Sequence, residues 1–69
     1  MYKLREILKD NNIKNTDVAE ILNIKSLSTV SLKINGKSEF TAKEASILKN
    51  YINEKAKTNY TIEDLFFKE

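Results

Sequence analysis

The segment NTDVAEILNIKSLSTVSLKING, residues 15–36, decides the fold of this chain, because it predicts two short helices joined by a tight turn. Its first half predicts a helix over Thr16 to Leu22, with apolar residues at i, i+1 and i+4 that form one narrow stripe. Asn23 favours a left-handed helix stop, and Ile24 behind it supplies an apolar anchor for the core. Lys14 has no acceptor in its side chain, so Asn15 or Thr16 is expected to cap this helix. The segment therefore opens with a short amphipathic helix and its turn.

The second half of the segment predicts a helix over Leu27 to Asn35, closed by Gly36 as a strong C-terminal stop. Its apolar residues are spaced i, i+3 and i+7: Leu27, Val30 and Ile34. We expect these three side chains to turn inward and to leave Lys33, with its serine and threonine neighbours, pointing outward. Two short helices of which the second has one polar face form the helix-turn-helix pattern.

Three further helices are predicted around this pair, and no strand. The first spans Tyr2 to Asn11, ends at Asn11-Asn12 by the left-handed route, and is followed by Ile13, which is expected to pack on the core. The fourth begins after a capping box at Thr41 and ends between Tyr51 and Lys57, and the fifth begins after a second box at Thr61. The side chains expected to face inward from these helices are Leu4, Ile7, Leu8, Ala45, Leu48, Ile52, Ile62, Leu65 and Phe66, whereas Asn53 is expected in solvent. With one glycine and no proline, residues 1–69 are predicted to form a single all-α domain of five helices.

The composition excludes several kinds of site. The chain has no cysteine and no histidine, so neither a disulfide framework nor a thiolate or imidazole metal site is expected. No cofactor or small-molecule ligand is predicted, and neither is an enzyme, because the acids are spread over solvent-facing helix positions near lysines. The apolar runs are too short for a membrane span and the first residues are too charged for a signal peptide, so a cytoplasmic protein is expected.

The charge is distributed unevenly along the chain. The net charge is +2, but residues 1–37 carry seven basic and four acidic side chains, and residues 38–69 carry five basic and six acidic ones. No acid occurs between Glu20 and Glu39, a stretch that contains Lys25, Lys33 and Lys37. An acid-free segment with lysines is typical of a face that meets phosphate, and a solvated face is the alternative.

The ordered fragments of the chain resemble the λ-repressor-like, Cro/CI-type (XRE) helix-turn-helix family. The resemblance covers Leu4 to Phe66 and rests on the spacing Ile13…Val18-Ala19…Leu22…Ile24, on Ser28-Thr29-Val30-Ser31, on Asn35-Gly36-Lys37 and on Ile62-Glu63-Asp64-Leu65-Phe66. The segments KINGK at 33–37 and FT at 40–41, with Phe66-Phe67 at the end, look like the short regulators of temperate phages of Gram-positive bacteria.

The resemblance implies a five-helix fold whose third helix enters the major groove of operator DNA, in a regulator of a lysis/lysogeny switch inside a bacterial host cell. Carried over by position, Ser28, Thr29 and Lys33 would face bases. Asn15, Thr16, Lys25 and Lys37 would face phosphates. The chain has no glutamine, and its single arginine, Arg5, is far along the sequence from the reading helix, so the predicted base contacts are weak ones.

Two functions remain open from the sequence. Ser28 and Thr29 are suited either to capping the third helix or to reading bases. Leu32 falls on the polar face of that helix, where it could meet a thymine methyl group or another protein. Phe67 is expected to join a homodimer contact or to fold back. The chain is therefore either a Cro-like regulator of operator DNA or a modulator, an anti-repressor, that binds a cognate phage repressor through its helix-turn-helix surface.

Overall fold

The computed structural model describes residues 4–66, which form five α-helices and no strand. In chain order the helices are α1 Leu4–Asp10, α2 Asn15–Leu22, α3 Leu27–Ile34, α4 Ala42–Ala56 and α5 Ile62–Phe66. The predicted all-α class and helix order are confirmed for these residues, and the predicted pair of short helices corresponds to α2 and α3. Tyr2 and Phe67, to which a helix start and a partner contact were assigned, lie outside the described residues.

The longest helix, α4, packs against α2 and α5, and α2 packs in turn against α3. Its inward face consists of Ala45, Leu48 and Ile52, as predicted, and the last two are completely buried. Each of the other helices contributes at least one buried apolar side chain to the core around this face: Leu4, Leu8, Val18, Ala19, Val30, Ile34 and Leu65. The fold is therefore stabilised by the apolar faces of its helices, which share one core, and this agrees with the predicted apolar stripes.

The first four helices end in the same way, with one residue in the left-handed region. These residues are Asn12, Asn23, Gly36 and Lys57, with φ of 57° for the three non-glycine residues and 78° for Gly36. After each of them the chain folds back, and the next amide donates to a carbonyl of the last helical turn; Ile13, for example, bonds to Leu8 at 2.8 Å. The stops predicted at Asn12, Asn23 and Gly36 are confirmed, and the apolar residues behind the two asparagines, Ile13 and Ile24, pack onto the core.

The helix starts also follow the predicted chemistry, with one correction at α2. Thr41 and Glu44 form a reciprocal capping box on α4, and Thr61 and Asp64 form the same pair of bonds on α5. The prediction that Asn15 or Thr16 caps α2 is wrong, because the helix already begins at Asn15. The residue in the cap position, Lys14, has no acceptor in its side chain. Its backbone N–H is instead satisfied by the Asp17 carboxylate at 3.0 Å.

Two of the predicted inward side chains are exposed. Leu27 is 49% exposed and Ile62 is 40% exposed, although both continue the apolar stripe of their helix. Each is the first residue of its helix, directly after the cap. A helical side chain leans toward the N-terminus of its own helix, so a first residue projects past the end of the helix and away from the packed face. The prediction that Leu27 turns inward is therefore wrong, whereas Val30 and Ile34 are buried as expected.

Asn53, predicted to lie in solvent, holds α5 against the end of α4. Its side-chain oxygen accepts hydrogen bonds from the Tyr60 N–H at 2.8 Å and from the Thr58 hydroxyl at 3.0 Å. Its amide group donates to the Tyr60 carbonyl at 2.9 Å. One side chain thus pairs several polar groups of the connecting loop, which would otherwise lose their solvation without compensation.

Candidate nucleic-acid interface

The outer face of α3 is neutral and exposed. With 100° between successive helical residues, Ser28, Leu32 and Asn35 follow one line along this face, and all three are exposed. Thr29 and Ser31 flank this line and are half-buried. From the sequence, Asn35 is expected at the end of the helix, and no contact with DNA is assigned to it. Its side-chain amide is nevertheless of the kind that can recognise adenine. Its i+7 spacing from Ser28 is the signal that could have revealed it.

Ser28 and Thr29 do not cap α3. The cap is Ser26, whose hydroxyl accepts the Thr29 N–H at 3.4 Å. The capping role that the sequence left open for Ser28 and Thr29 is therefore wrong, and their side chains are not used in the start of the helix.

The predicted outward orientation of Lys33 is wrong. Its ammonium forms an ion pair with Glu44 of α4 at 2.6 Å, and only 12% of the side chain is exposed. The same ammonium lies 5.8 Å from the centre of the Phe40 ring. Lys33 comes five residues after Ser28, which places it about 140° around the helix from Ser28. Ser28 therefore points outward, whereas Lys33 points to the inner flank of α3. The three residues predicted to face bases are thus not brought together, and a base contact by Lys33 requires this ion pair to break.

Glu44 connects the start of α4 to the last turn of α3. One of its oxygens, Oε1, accepts both the Lys33 ammonium and the Thr41 N–H, the latter at 3.0 Å. Partial burial acts to raise the pKa of Glu44, but the hydrogen bonds from Lys33 and Thr41 and the charge of Lys33 outweigh it, so the pKa is lowered from 4.5. The carboxylate is therefore held in its charged form in the folded state.

We expect Glu44→Gln to destabilise the fold by about 0.5–1 kcal/mol at pH 7, since a partly exposed ion pair is removed. Because the pKa of Glu44 is lowered on folding, its charge stabilises the fold fully above pH 4.5. This contribution to stability disappears as the pH falls through the pKa of the folded state. The difference between wild type and variant in urea unfolding should therefore shrink at pH 3. A deficit of the same size at both pH values would show that the charge of Glu44 is not responsible.

The cations predicted to meet phosphate stand at the two ends of α3. Lys25 precedes the helix and Lys37 follows it, and both are exposed. The backbone around Lys37 is fixed, because its N–H donates to the Leu32 carbonyl at 2.9 Å in the turn after Gly36. Lys25 and Lys37 therefore flank the outer face of α3 with positive charge, and the acid-free stretch between Glu20 and Glu39 leaves that face without a carboxylate of its own.

The first turn of α2 lies beside the end of α3. Asn15 and Ile34 line the same surface depression, and both Asn15 and Thr16 are exposed, as a phosphate contact requires. The half-buried Asp17 carboxylate is also in this turn, bonded to the Lys14 N–H. Asp17 reduces the attraction of this end for an anion, whereas the exposed ammonium of Lys14 adds to it. From the sequence, Lys14 is not assigned to phosphate binding, because a lysine before a helix is expected only to be a poor cap.

A second surface of interest is apolar. Leu32 is 47% exposed in the middle of the outer face of α3. A separate hollow of about 300 Å³ is lined in part by Phe40, Ala45, Ile62 and Phe66. The rings of Phe40 and Phe66 pack edge to face with their centroids 5.1 Å apart. Leu32 thus has the exposure expected of a partner-binding residue.

Within residues 4–66, no three acidic side chains converge on a point where a metal ion could be held. None of the described helices combines the length and the apolar character that crossing a membrane requires. The chain has no match among protein-family models, curated proteins or solved structures. Its function is therefore inferred from the placement of its own side chains.

Proposed function

We propose that this chain is a Cro-like transcriptional regulator of the λ-repressor-like helix-turn-helix class, which binds operator DNA in a phage lysis/lysogeny switch. The observation that carries the proposal is the outer face of α3. It is exposed, free of carboxylates, and flanked by the exposed lysines Lys25 and Lys37. The two short helices α2 and α3, joined at the left-handed Asn23, support the proposal, because such proteins use a pair of short helices joined by a tight turn.

In this proposal α3 lies in the major groove, and its outer side chains meet base edges. Asn35 offers the pairing that suits adenine, Leu32 an apolar contact for a thymine methyl, and Ser28 a hydroxyl that either donates or accepts. A helix of eight residues is about 12 Å long and spans roughly four base pairs. Phosphate contacts come from Lys25 and Lys37 and from Asn15 and Thr16. Two chains on one operator would then contact half-sites about 34 Å apart.

The experiment is a fluorescence-anisotropy titration of the purified chain with duplexes from the intergenic DNA beside its gene, at 50 and 200 mM salt. Two lysine–phosphate contacts give a slope of log K against log salt of roughly −1.8, so affinity should fall at least tenfold between the two salt concentrations. Binding that does not respond to salt, or no binding at 50 mM salt, would overturn the proposal.

A second function is favoured by a different observation. Leu27 and Leu32 are each nearly half exposed on α3, while the charge of Lys33 is neutralised by Glu44. An apolar, weakly charged helix face suits a protein partner better than a DNA groove. As the alternative, the chain is a modulator that binds a cognate phage repressor through this face.

For the alternative, Leu32→Asp should weaken binding to the repressor at least tenfold while leaving the far-ultraviolet circular dichroism unchanged. The matched control is Ile47→Asp, at a comparably exposed position on α4. The measurement is a gel shift of operator DNA by the repressor, with and without this chain. If the alternative holds, the wild-type chain shifts no DNA alone but alters the repressor's shift, and Leu32→Asp removes that effect. Normal activity of Leu32→Asp would exclude this surface.

A further inference from the structure

A surface depression of about 270 Å³ lies between α1, the start of α2 and the end of α3. Its floor consists of three apolar side chains that are at most 5% exposed: Leu8, Ile13 and Ile34. Its rim consists of three cations and two amides: Arg5, Lys9, Lys14, Asn12 and Asn15. No carboxylate is among the described residues that line it. We call this feature the basic depression.

The cations of the basic depression form no ion pair with the acids of α1. Arg5 and Lys9 are four residues apart and share one flank of α1, and Glu6 and Asp10 lie about 100° further round the helix. Like charges at this spacing disfavour the helix. In residues 4–66, no carboxylate forms an ion pair with a cation of the rim. The positive charge on the rim is therefore available to a ligand.

We propose that the basic depression binds phosphate groups, and that the backbone of duplex DNA supplies them, an inference that rests on the proposed function. An apolar floor focuses the field of like-signed charges around it, which attracts an anion. The guanidinium of Arg5 has the planar set of donors that fits two phosphate oxygens at once. The Asp17 carboxylate accepts the Lys14 backbone N–H and is not among the lining residues.

The location of the basic depression connects it to the surface proposed for DNA. It includes Asn15, already expected to face phosphate, and it touches the last turn of α3 through Ile34. A duplex that lies on α2 and α3 then passes the rim, and α1 contributes to binding from outside the helix-turn-helix pair. Arg5, far from the reading helix along the sequence, thus lies next to the end of that helix in the fold.

The first arm of the test uses inorganic phosphate as the probe, at constant ionic strength maintained with chloride. In ¹H–¹⁵N spectra of the whole chain, saturable shifts should be confined to residues 5–15 and the end of α3. The triple variant Arg5→Gln, Lys9→Gln and Lys14→Gln should lose them. Shifts spread over all lysines, or retained in the triple variant, would overturn the site.

The second arm measures duplex binding by the triple variant as a function of salt. At 50 mM salt we expect affinity at least tenfold weaker than wild type, and a salt slope shallower by about 0.9 for each phosphate that is no longer neutralised. The control with the same change of net charge is Lys49→Gln, Lys55→Gln and Lys57→Gln, none of which lines the depression. Triple and control variants that bind equally well would overturn the inference and leave the proposed function standing.

The two arms separate the source of the phosphate. Saturable phosphate shifts in a wild-type chain that binds no duplex would support the anion site and overturn its assignment to DNA, together with the proposed function. Both variants should unfold close to the wild-type urea concentration, because every substituted side chain is exposed except Lys49, which is half-buried. Unfolding of the triple variant at a clearly lower concentration would overturn the claim that these cations serve a ligand instead of the fold.

Discussion

Replacing Leu48 with alanine should lower the free energy of unfolding by about 2–5 kcal/mol. This is the largest loss of stability expected from the substitutions proposed for this chain. Leu48 is completely buried in the middle of α4, the helix that packs against both α2 and α5. Truncation removes apolar contacts and leaves a cavity that the surrounding helices can fill only in part. A small domain without disulfides has little stability in reserve, so much of the variant should be unfolded at 37 °C.

The measurement is urea unfolding followed by circular dichroism at 222 nm. The matched control is Leu32→Ala, the same substitution on a side chain that is 47% exposed, and it should change stability by no more than about 0.5 kcal/mol. Equal losses of stability in the two variants would contradict the placement of Leu48 in the core.

Reversing the charge of Lys25 and Lys37 together should weaken duplex binding roughly a hundredfold at 50 mM salt. Each lysine–phosphate pair contributes about 0.9 to the slope of log K against log salt. At 50 mM salt, relative to 1 M, that slope corresponds to a little over tenfold in affinity for each pair. Removing two such pairs therefore costs about two decades, before any repulsion by the new glutamates is counted. The salt slope of the Lys25→Glu, Lys37→Glu variant should become shallower by about 1.8.

The control for this variant is Lys49→Glu with Lys57→Glu, which changes the net charge by the same amount on and just after the last part of α4. It should bind within a fewfold of wild type, because neither lysine is on α3 and charges farther from the DNA than the Debye length, about 14 Å at 50 mM salt, are largely screened. Equally weakened binding by the two variants would mean that net charge alone drives binding and that the outer face of α3 is not the contact surface.

The parts of the fold that follow local rules were predictable from the sequence. The box of Thr41 and Glu44 requires only residues three positions apart, and so does that of Thr61 and Asp64. The left-handed stops at Asn12 and Asn23 depend on a side chain that tolerates positive φ. Such signals are contained within one helical turn, so one sequence was enough to place the helices.

The candidate site was less predictable, because its orientation depends on contacts between distant residues. Lys33 and Glu44 are eleven positions apart, and nothing near Lys33 in the sequence indicates that its charge is taken up inside the fold. Likewise, only folding brings Arg5 to the depression beside Ile34. Leu27 was misplaced for another reason: a periodic pattern does not show that the first residue of a helix projects beyond its end.

Contact between duplex DNA and the face formed by α3 and the start of α2 is the central claim. The most direct measurement is a ¹H–¹⁵N titration of the uniformly labelled chain with an intergenic duplex at 50 mM salt. We expect shifts concentrated on Asn15, Thr16 and residues 25–37, with small changes on the exposed side of α4. Shifts concentrated on α4 and α5, or a spectrum that does not change at all, would contradict the claim.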